Sequence, residues 1–248
     1  MTPPPAVGGR RAVVEAIRAG HVSDVLVAAG VRETQGMRAV AEAAAAAGLI
    51  VHETDRIALD RLATDHQGVV ARLLDDALRP RELGERDLRT FSFSENAFVV
   101  VLDGITDPQN FGAAARSAEA AGTSLLVTRV RRAADVTPAA VRASAGALLH
   151  ISLARVANIS RALGRLQDAG FTVIGLDGDA ETSIFDEPCP EGRVALVVGS
   201  EGEGMSRLVR ERCDALVALP MHGRVGSLNA SASLAAALYG YVLPSRRH

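Results

Sequence analysis

From Phe98 onward the chain repeats one pattern: a short apolar run, a polar or glycine-bearing turn, then a segment with helical spacing. The strand-like runs are Phe98 to Leu102, Ser124 to Thr128, Phe171 to Leu176, Val194 to Val198 and Ala215 to Leu219. Helices are expected after Leu102 as far as Ala121, near Ala139, over Ile159 to Ala169, over Ser206 to Arg212 and over Ala230 to Val242. A run such as Val194-Ala195-Leu196-Val197-Val198 has no polar alternation, so both of its faces must be covered. Repeated βα units with strands of this kind specify an α/β fold on a mainly parallel sheet with helices on both faces.

A smaller α/β unit precedes this one. Arg10 to Ala19 places Val13, Val14 and Ile17 on one helical face, and Asp24-Val25-Leu26-Val27-Ala28 reads as a strand. Met37 to Ala47 is alanine-rich and helical, Gly48 stops it, and Leu49-Ile50-Val51-His52 suits a short buried strand. Between Arg79 and Glu95 the composition turns charged, with Pro80 and Gly84, as at a domain boundary. The expected division is therefore 1–78, a linker over 79–95, and 96–248.

With 48% hydrophobic and 23% charged residues in 248, the chain has the balance of a folded protein rather than a disordered one. No apolar run approaches the roughly 18 residues of a membrane span. The start, Met1-Thr2-Pro3-Pro4-Pro5, lacks the regions of a signal peptide, so a cytoplasmic protein is expected. Cys189 and Cys213 have neither CxxC nor Cys/His spacing, so no metal site is expected. A formal net charge of −2 argues against a broad basic surface and leaves room for a local one. All 27 basic residues are arginine, a bias that fits genome composition as well as phosphate recognition.

Three strand-to-turn stretches carry polar residues where open α/β sheets bind ligands, at the carboxyl ends of strands. The first runs from Leu102 to Gly122 and holds Asn110 and Arg116 near the start of a helix, where free amides and a partial positive charge gather. A plain helix cap and an Arg116–Glu119 surface pair are the simpler roles for these two taken singly. The second, Val194 to Met205, ends in the glycine-rich turn Gly199-Ser200-Glu201-Gly202-Glu203-Gly204. It fails the dinucleotide pattern GxGxxG at its last position and carries two acids where a pyrophosphate would sit, and a chain without lysine has no phosphate-loop motif. The third, Leu219 to Ser233, ends a strand at Pro220 and sets Ser227 and Asn229 before a helix, either as caps or as cleft-lining groups.

Taken in order, these stretches resemble the three signature motifs of the SpoU (TrmH) family of RNA methyltransferases, in the SPOUT class. The resemblance rests on Asn110 and Arg116, on Gly199, Glu201 and Gly202, and on Pro220, Ser227, Leu228 and Asn229. More weakly, Gly9 to Ile17 and His66-Gln67-Gly68-Val69 resemble the substrate-binding domain of the subgroup that methylates a guanosine of 23S ribosomal RNA.

The resemblance implies a C-terminal trefoil-knot methyltransferase domain and a ribosomal-protein-L30e-like N-terminal domain that grips RNA. It implies S-adenosylmethionine held near Val198, Gly199, Gly202, Leu219, Met221, Ser227 and Leu228, and methyl transfer to a ribose 2′-hydroxyl. Arg116, Asn110, Glu201, Ser227 and Asn229 are the implied catalytic set, with Glu201 a candidate tether for Arg116. The family assigns proton removal to the arginine matching Arg116. A guanidinium is costly to deprotonate, so orienting the hydroxyl and a phosphate is the preferred role. The resemblance further implies a homodimer, for which Leu238 to Val242 is a candidate surface, core burial being an equally simple fate. Arg10, Arg11, Arg129, Arg131 and Arg132 are the candidate RNA contacts, against a solvated surface. Transfer RNA as the target, or a non-catalytic RNA-binding or assembly protein on the same fold, are the alternatives.

Overall fold

The computed structural model describes residues 4–74, 77–78, 82–186, 188–224 and 226–246. Arg79 and Pro80, where the sequence places the start of the linker, lie outside them, as does Val225 of the third motif. Along the chain run β1 (Ala6–Gly8), α1 (Arg10–Arg18), β2 (Val22–Ala28), α2 (Gln35–Ala46), β3 (Val51–Thr54), α3 (Arg56–Asp60) and β4 (Val69–Leu73). Then come β5 (Glu82–Leu83), β6 (Phe98–Asp103), α4 (Pro108–Ala120), β7 (Leu125–Arg129), α5 (Pro138–Ala143), β8 (Leu153–Val156) and α6 (Ile159–Asp168). The last elements are β9 (Phe171–Leu176), β10 (Arg193–Gly199), α7 (Arg207–Arg210), β11 (Ala215–Val217) and α8 (Ala230–Ala237).

These elements form two compact units, 1–80 with 135–150, and 81–134 with 151–248. The first has a four-stranded sheet in the order β1-β4-β2-β3, with β4 antiparallel to both neighbours and β2 parallel to β3. Val13, Ile17, Val25, Val40 and Val70 are buried in it. Helix α5, which the sequence places among the C-terminal elements, packs beside β1 in this unit.

The second unit is a seven-stranded sheet, β11-β9-β10-β6-β7-β8-β5, in which every pairing is parallel. Every residue of β6 is buried, as the unbroken apolar run Phe98 to Leu102 requires, and so is Asp103 at its end. The charged segment from Glu82 to Glu95 belongs to this unit: β5 pairs with β8, Leu88 is buried in the core and Phe91 and Phe93 pack against it. The helix expected to run from Ala230 to Val242 stops at Ala237 and widens into a π-type turn over Leu238–Val242, where Leu238, Tyr241 and Val242 are buried and Tyr239 is exposed.

The strand order matters for the site. Strands β6, β9 and β10 lie side by side, in register from Val198 to both Leu176 and Leu102. Their carboxyl ends therefore open at one edge of the sheet, and the turns that follow them meet there.

Candidate active site

The first turn of α4 is built by Asp107, which caps the helix by accepting from the Asn110 amide at 2.9 Å, with Pro108 supplying a backbone already set for helix entry. This fixes the Asn110 carboxamide, whose Nδ2 donates to Oε1 of Glu201 at 2.9 Å. Asn229 caps α8, its Oδ1 accepting from the amides of Ser231 and Ala232. Its Nδ2 donates both to Oδ1 of Asn110 at 2.8 Å and to Oε1 of Glu201 at 2.5 Å. One residue from each of the three stretches thus closes a triangle of hydrogen bonds around one carboxylate. Glu201 is held by these amides, and no ion pair joins it to Arg116 among the described residues, so the expected tether is replaced by the two asparagines.

The glycine-rich turn is folded back on itself. Ser200 and Gly204 exchange backbone hydrogen bonds at 3.1 and 3.0 Å. A Cβ on Gly199 would lie 2.0 Å from the Gly204 carbonyl carbon, so only glycine fits. The turn is anchored from below by Asp103, 2% exposed, whose Oδ2 accepts from the Ser206 amide and hydroxyl, both at 2.8 Å, and whose other oxygen pairs with Arg129. Buried carboxylates need such partners, and this one has three donors.

Beside the turn lies a cavity of about 410 Å³. Its lining includes Val198, Gly199, Gly202, Leu219, Met221, Ser227 and Leu228, all seven residues singled out for the cofactor. Met221 and Leu228 are 37% and 46% exposed, apolar surface suited to the face of a flat ring. Leu176, Asp177, Gly178 and Asp179 from the end of β9, together with Glu203 and Arg210, line it too and were not foreseen. Asp177 accepts from Arg210 Nε at 2.6 Å. Burial opposes ionisation of Asp177, but the Arg210 hydrogen bond, the Asp179 amide and the Arg210 charge outweigh it and hold the carboxyl below its ordinary value. With Asp179, Glu201 and Glu203 nearby, the lining favours a cationic ligand.

The profile of the SpoU rRNA Methylase family matches residues 97–239, and that of RNA 2′-O ribose methyltransferase substrate binding matches residues 6–74. The chain belongs to the SpoU rRNA methylase family. It is 36% identical, over 97% of its own length and 95% of the relative's, to a putative TrmH family tRNA/rRNA methyltransferase of Staphylococcus haemolyticus. It is 40% identical, over 77% of its length and 78% of the relative's, to the 23S rRNA (guanosine-2′-O-)-methyltransferase RlmB of Photobacterium profundum. Among solved structures, the SpoU methyltransferase AviRb of Streptomyces viridochromogenes in complex with the cofactor AdoMet superposes with a TM-score of 0.74. That match has 26% identity over 98% of this chain and 91% of that one.

Within this SpoU chain the other foreseen residues are placed differently. Arg116 lies exposed on α4 without an ion pair among the described residues, neither to Glu119 nor to Glu201. Ser227 is exposed at the cavity mouth. Arg129 is spent inside the unit on Asp103 and Ser206, while Arg131 and Arg132 stand exposed beyond it. In the first unit Arg11 is exposed, and the Arg10 stem is half-buried against Gly36, where a Cβ would come within 2.8 Å of Arg10 Cδ. No cluster of metal-binding side chains occurs among the described residues, and no helix there is long and apolar enough to cross a membrane.

Proposed function

We propose that this SpoU-family chain transfers the methyl group of S-adenosylmethionine to a ribose 2′-hydroxyl of RNA, the target being a guanosine of 23S ribosomal RNA. The observation that carries the reading is the junction of Asn110, Glu201 and Asn229 beside a cavity walled by the second and third motifs. The cavity fits the cofactor in size, in its apolar walls at Met221 and Leu228 and in the acids that suit a sulfonium and an ammonium group. Bound there, S-adenosylmethionine supplies an electrophilic methyl on a positively charged sulfur.

The chain's own groups then align and steer. Backbone at Gly199 and Leu219, with Leu228 above, holds the adenosine part, and Met221 forms a further wall. Asn110, fixed by Glu201 and Asn229, positions the ribose. Arg116, exposed and without an ion pair among the described residues, places the hydroxyl and an adjacent phosphate for in-line attack, and Ser227 completes the pocket. The O–CH3 bond forms as the S–CH3 bond breaks, the neutral thioether leaves and the hydroxyl proton passes to solvent water. Alignment of a weak nucleophile is the main contribution, since effective molarities of about 10⁵ M and above follow from it alone.

The remaining parts of the account belong to the same proposal. Residues 1–80 with 135–150 act as the RNA-binding domain and 81–134 with 151–248 as a methyltransferase domain that carries a trefoil knot, with Glu82 to Glu95 of the expected linker part of the latter. Of the Leu238–Val242 region, Leu238, Tyr241 and Val242 are taken up by the unit's own core, so two copies pair through the exposed Tyr239, and Arg10, Arg11, Arg131 and Arg132 meet RNA phosphates. Arg129 joins them only by leaving Asp103. The protein works in the cytoplasm on ribosomal RNA. Mapping ribose methylation across all cellular RNA with and without the gene tests the target. Loss of one 2′-O-methylguanosine in 23S ribosomal RNA is expected, and loss confined to a transfer RNA would overturn the choice of substrate.

A further inference from the structure

The turn between α3 and β4 in the first unit is unusually constrained. Asp65 and Gln67 both have left-handed backbones, with φ of 51° and 53°, where glycine or asparagine is the ordinary choice. Between them His66 is 2% exposed. Its Nδ1 accepts from the Gly68 amide at 2.9 Å, which leaves Nε2 of the neutral ring to donate to Asp60 Oδ1 at 3.0 Å. The His66 carbonyl accepts from the amides of Gly9 and Val69. The turn is closely packed from behind: a Cβ on Gly8 would come within 2.9 Å of His66 Cα, and one on Gly68 within 2.6 Å of Val31 Cγ2. At its start, Arg142 on α5 donates to the Thr64 carbonyl at 2.6 Å and hydroxyl at 2.5 Å.

The result is a rigid finger with alternating burial, His66 and Gly68 inward, Asp65 and Gln67 outward. The bonds of His66 and the packing of Gly8 and Gly68 fix the backbone here, while the Gln67 side chain is exposed and makes no hydrogen bond among the described residues. A carboxamide held at such a tip offers a donor and an acceptor together, the pair that reads the edge of a base. Asp65 lies 3.5 Å from the Arg142 guanidinium, yet its side chain is 82% exposed, so its carboxylate still presents an acceptor for base N–H groups beside Gln67.

We infer that the Thr64–Gly68 turn is a specificity element that reads an unpaired base of the RNA substrate through the side chains of Gln67 and Asp65. This rests on the RNA methyltransferase reading and adds to it which residues choose the site. A base contact that takes no part in the methyl transfer itself acts on substrate capture, so its loss raises KM for RNA more than it lowers kcat.

The full-length protein is assayed on unmodified 23S ribosomal RNA transcribed in vitro, comparing the parent with Gln67→Gly and Asp65→Asn. Glycine relieves the positive φ and asparagine tolerates it, so both variants fold. For Gln67→Gly, kcat/KM on RNA is expected to fall about tenfold, mainly through KM, with unchanged S-adenosylmethionine affinity and an equal or higher melting temperature. Asp65→Asn is expected to shift the same parameter in the same direction by a smaller factor. Parent-like KM in both variants, or a lowered melting temperature with parent-like KM, would overturn the inference and leave the turn a structural one. A parent protein that methylates no ribose of the transcript would instead overturn the proposed function.

Discussion

The Asn229 carboxamide nitrogen lies 2.8 Å from Oδ1 of Asn110, joining the cap of α8 to the first turn of α4 across 119 residues of sequence. Both amides also reach Oε1 of Glu201, so a single carboxylate sets the spacing of two helix starts. Changing Asn229 to aspartate keeps a good cap but turns a donor into a second carboxylate facing Glu201. The expected cost at pH 7 is about 1 kcal/mol for like charges near the surface, with a larger fall in methylation rate. Adding Glu201→Gln should recover part of the stability. A thermal double-mutant cycle reads the coupling, and strict additivity would contradict the shared-carboxylate geometry.

Gly199→Ala drives a Cβ into the backbone at Gly204, with no flexible side chain to give way. Overpacking of this kind costs about 1–3 kcal/mol or more. The turn must open to accept it, so S-adenosylmethionine binding by calorimetry should be lost while the far-UV circular dichroism of the sheet persists. Parent-like affinity would place the cofactor elsewhere.

Asp103→Asn leaves Arg129 without its charge partner and weakens the hold on Ser206. Removing one member of a largely buried pair is strongly destabilising, and with Arg129 partly solvated about 2 kcal/mol is expected in denaturant unfolding. Arg129→Met should cost at least as much, because it leaves the Asp103 carboxylate, 2% exposed, with only the two Ser206 donors and no cation.

Glu85 follows β5 and is bonded by Arg161 through Nη2 at 2.8 Å and approached by Arg165 at 3.1 Å. The Arg161 hydrogen bond, working against burial and aided by both guanidinium charges, lowers its carboxyl from the ordinary 4.5. A depressed folded-state value means stabilisation that is full above the unfolded value and fades as pH falls through the folded one. Glu85→Gln should therefore lower the melting temperature at pH 7, and the gap to the parent should narrow below about pH 4.5. A gap that stays constant down to acid conditions would contradict this.

How much of this was legible in the sequence differs from residue to residue. Unbroken apolar runs such as β6 and β10 announce themselves, because burial on both faces leaves no polar positions. Strand β8 gives no clear local signal, since Leu153-Ala154-Arg155-Val156 is short and carries an arginine, and β4 and β5 are likewise set by tertiary pairing rather than by local pattern. Helix α5 reads as one more helix of the C-terminal series, and which unit it packs with is decided by long-range contact that no local periodicity records.

At the site, Asn110, Glu201 and Asn229 are legible as polar residues in the turns after strands, and much of the cavity lining as the glycine turn and the loop before α8. Their mutual bonding was not, because it depends on how the turns after β6 and β10 and the loop before α8 meet. Asp177 and Asp179 could have been found by the same strand-end rule applied to β9. Arg129 looked like part of a basic run with Arg131 and Arg132, and only the buried position of Asp103 explains why it faces the other way.

The central claim is that the three motifs build one site for methyl transfer to ribose. The direct measurement incubates the purified protein with unmodified 23S ribosomal RNA and S-adenosylmethionine labelled in its methyl group, then digests the RNA to nucleosides and identifies the labelled one by mass spectrometry. The account predicts label in 2′-O-methylguanosine with the parent protein and its near-complete loss with Arg116→Ala at unchanged cofactor affinity. Label on a base, or undiminished ribose methylation by Arg116→Ala, would contradict it.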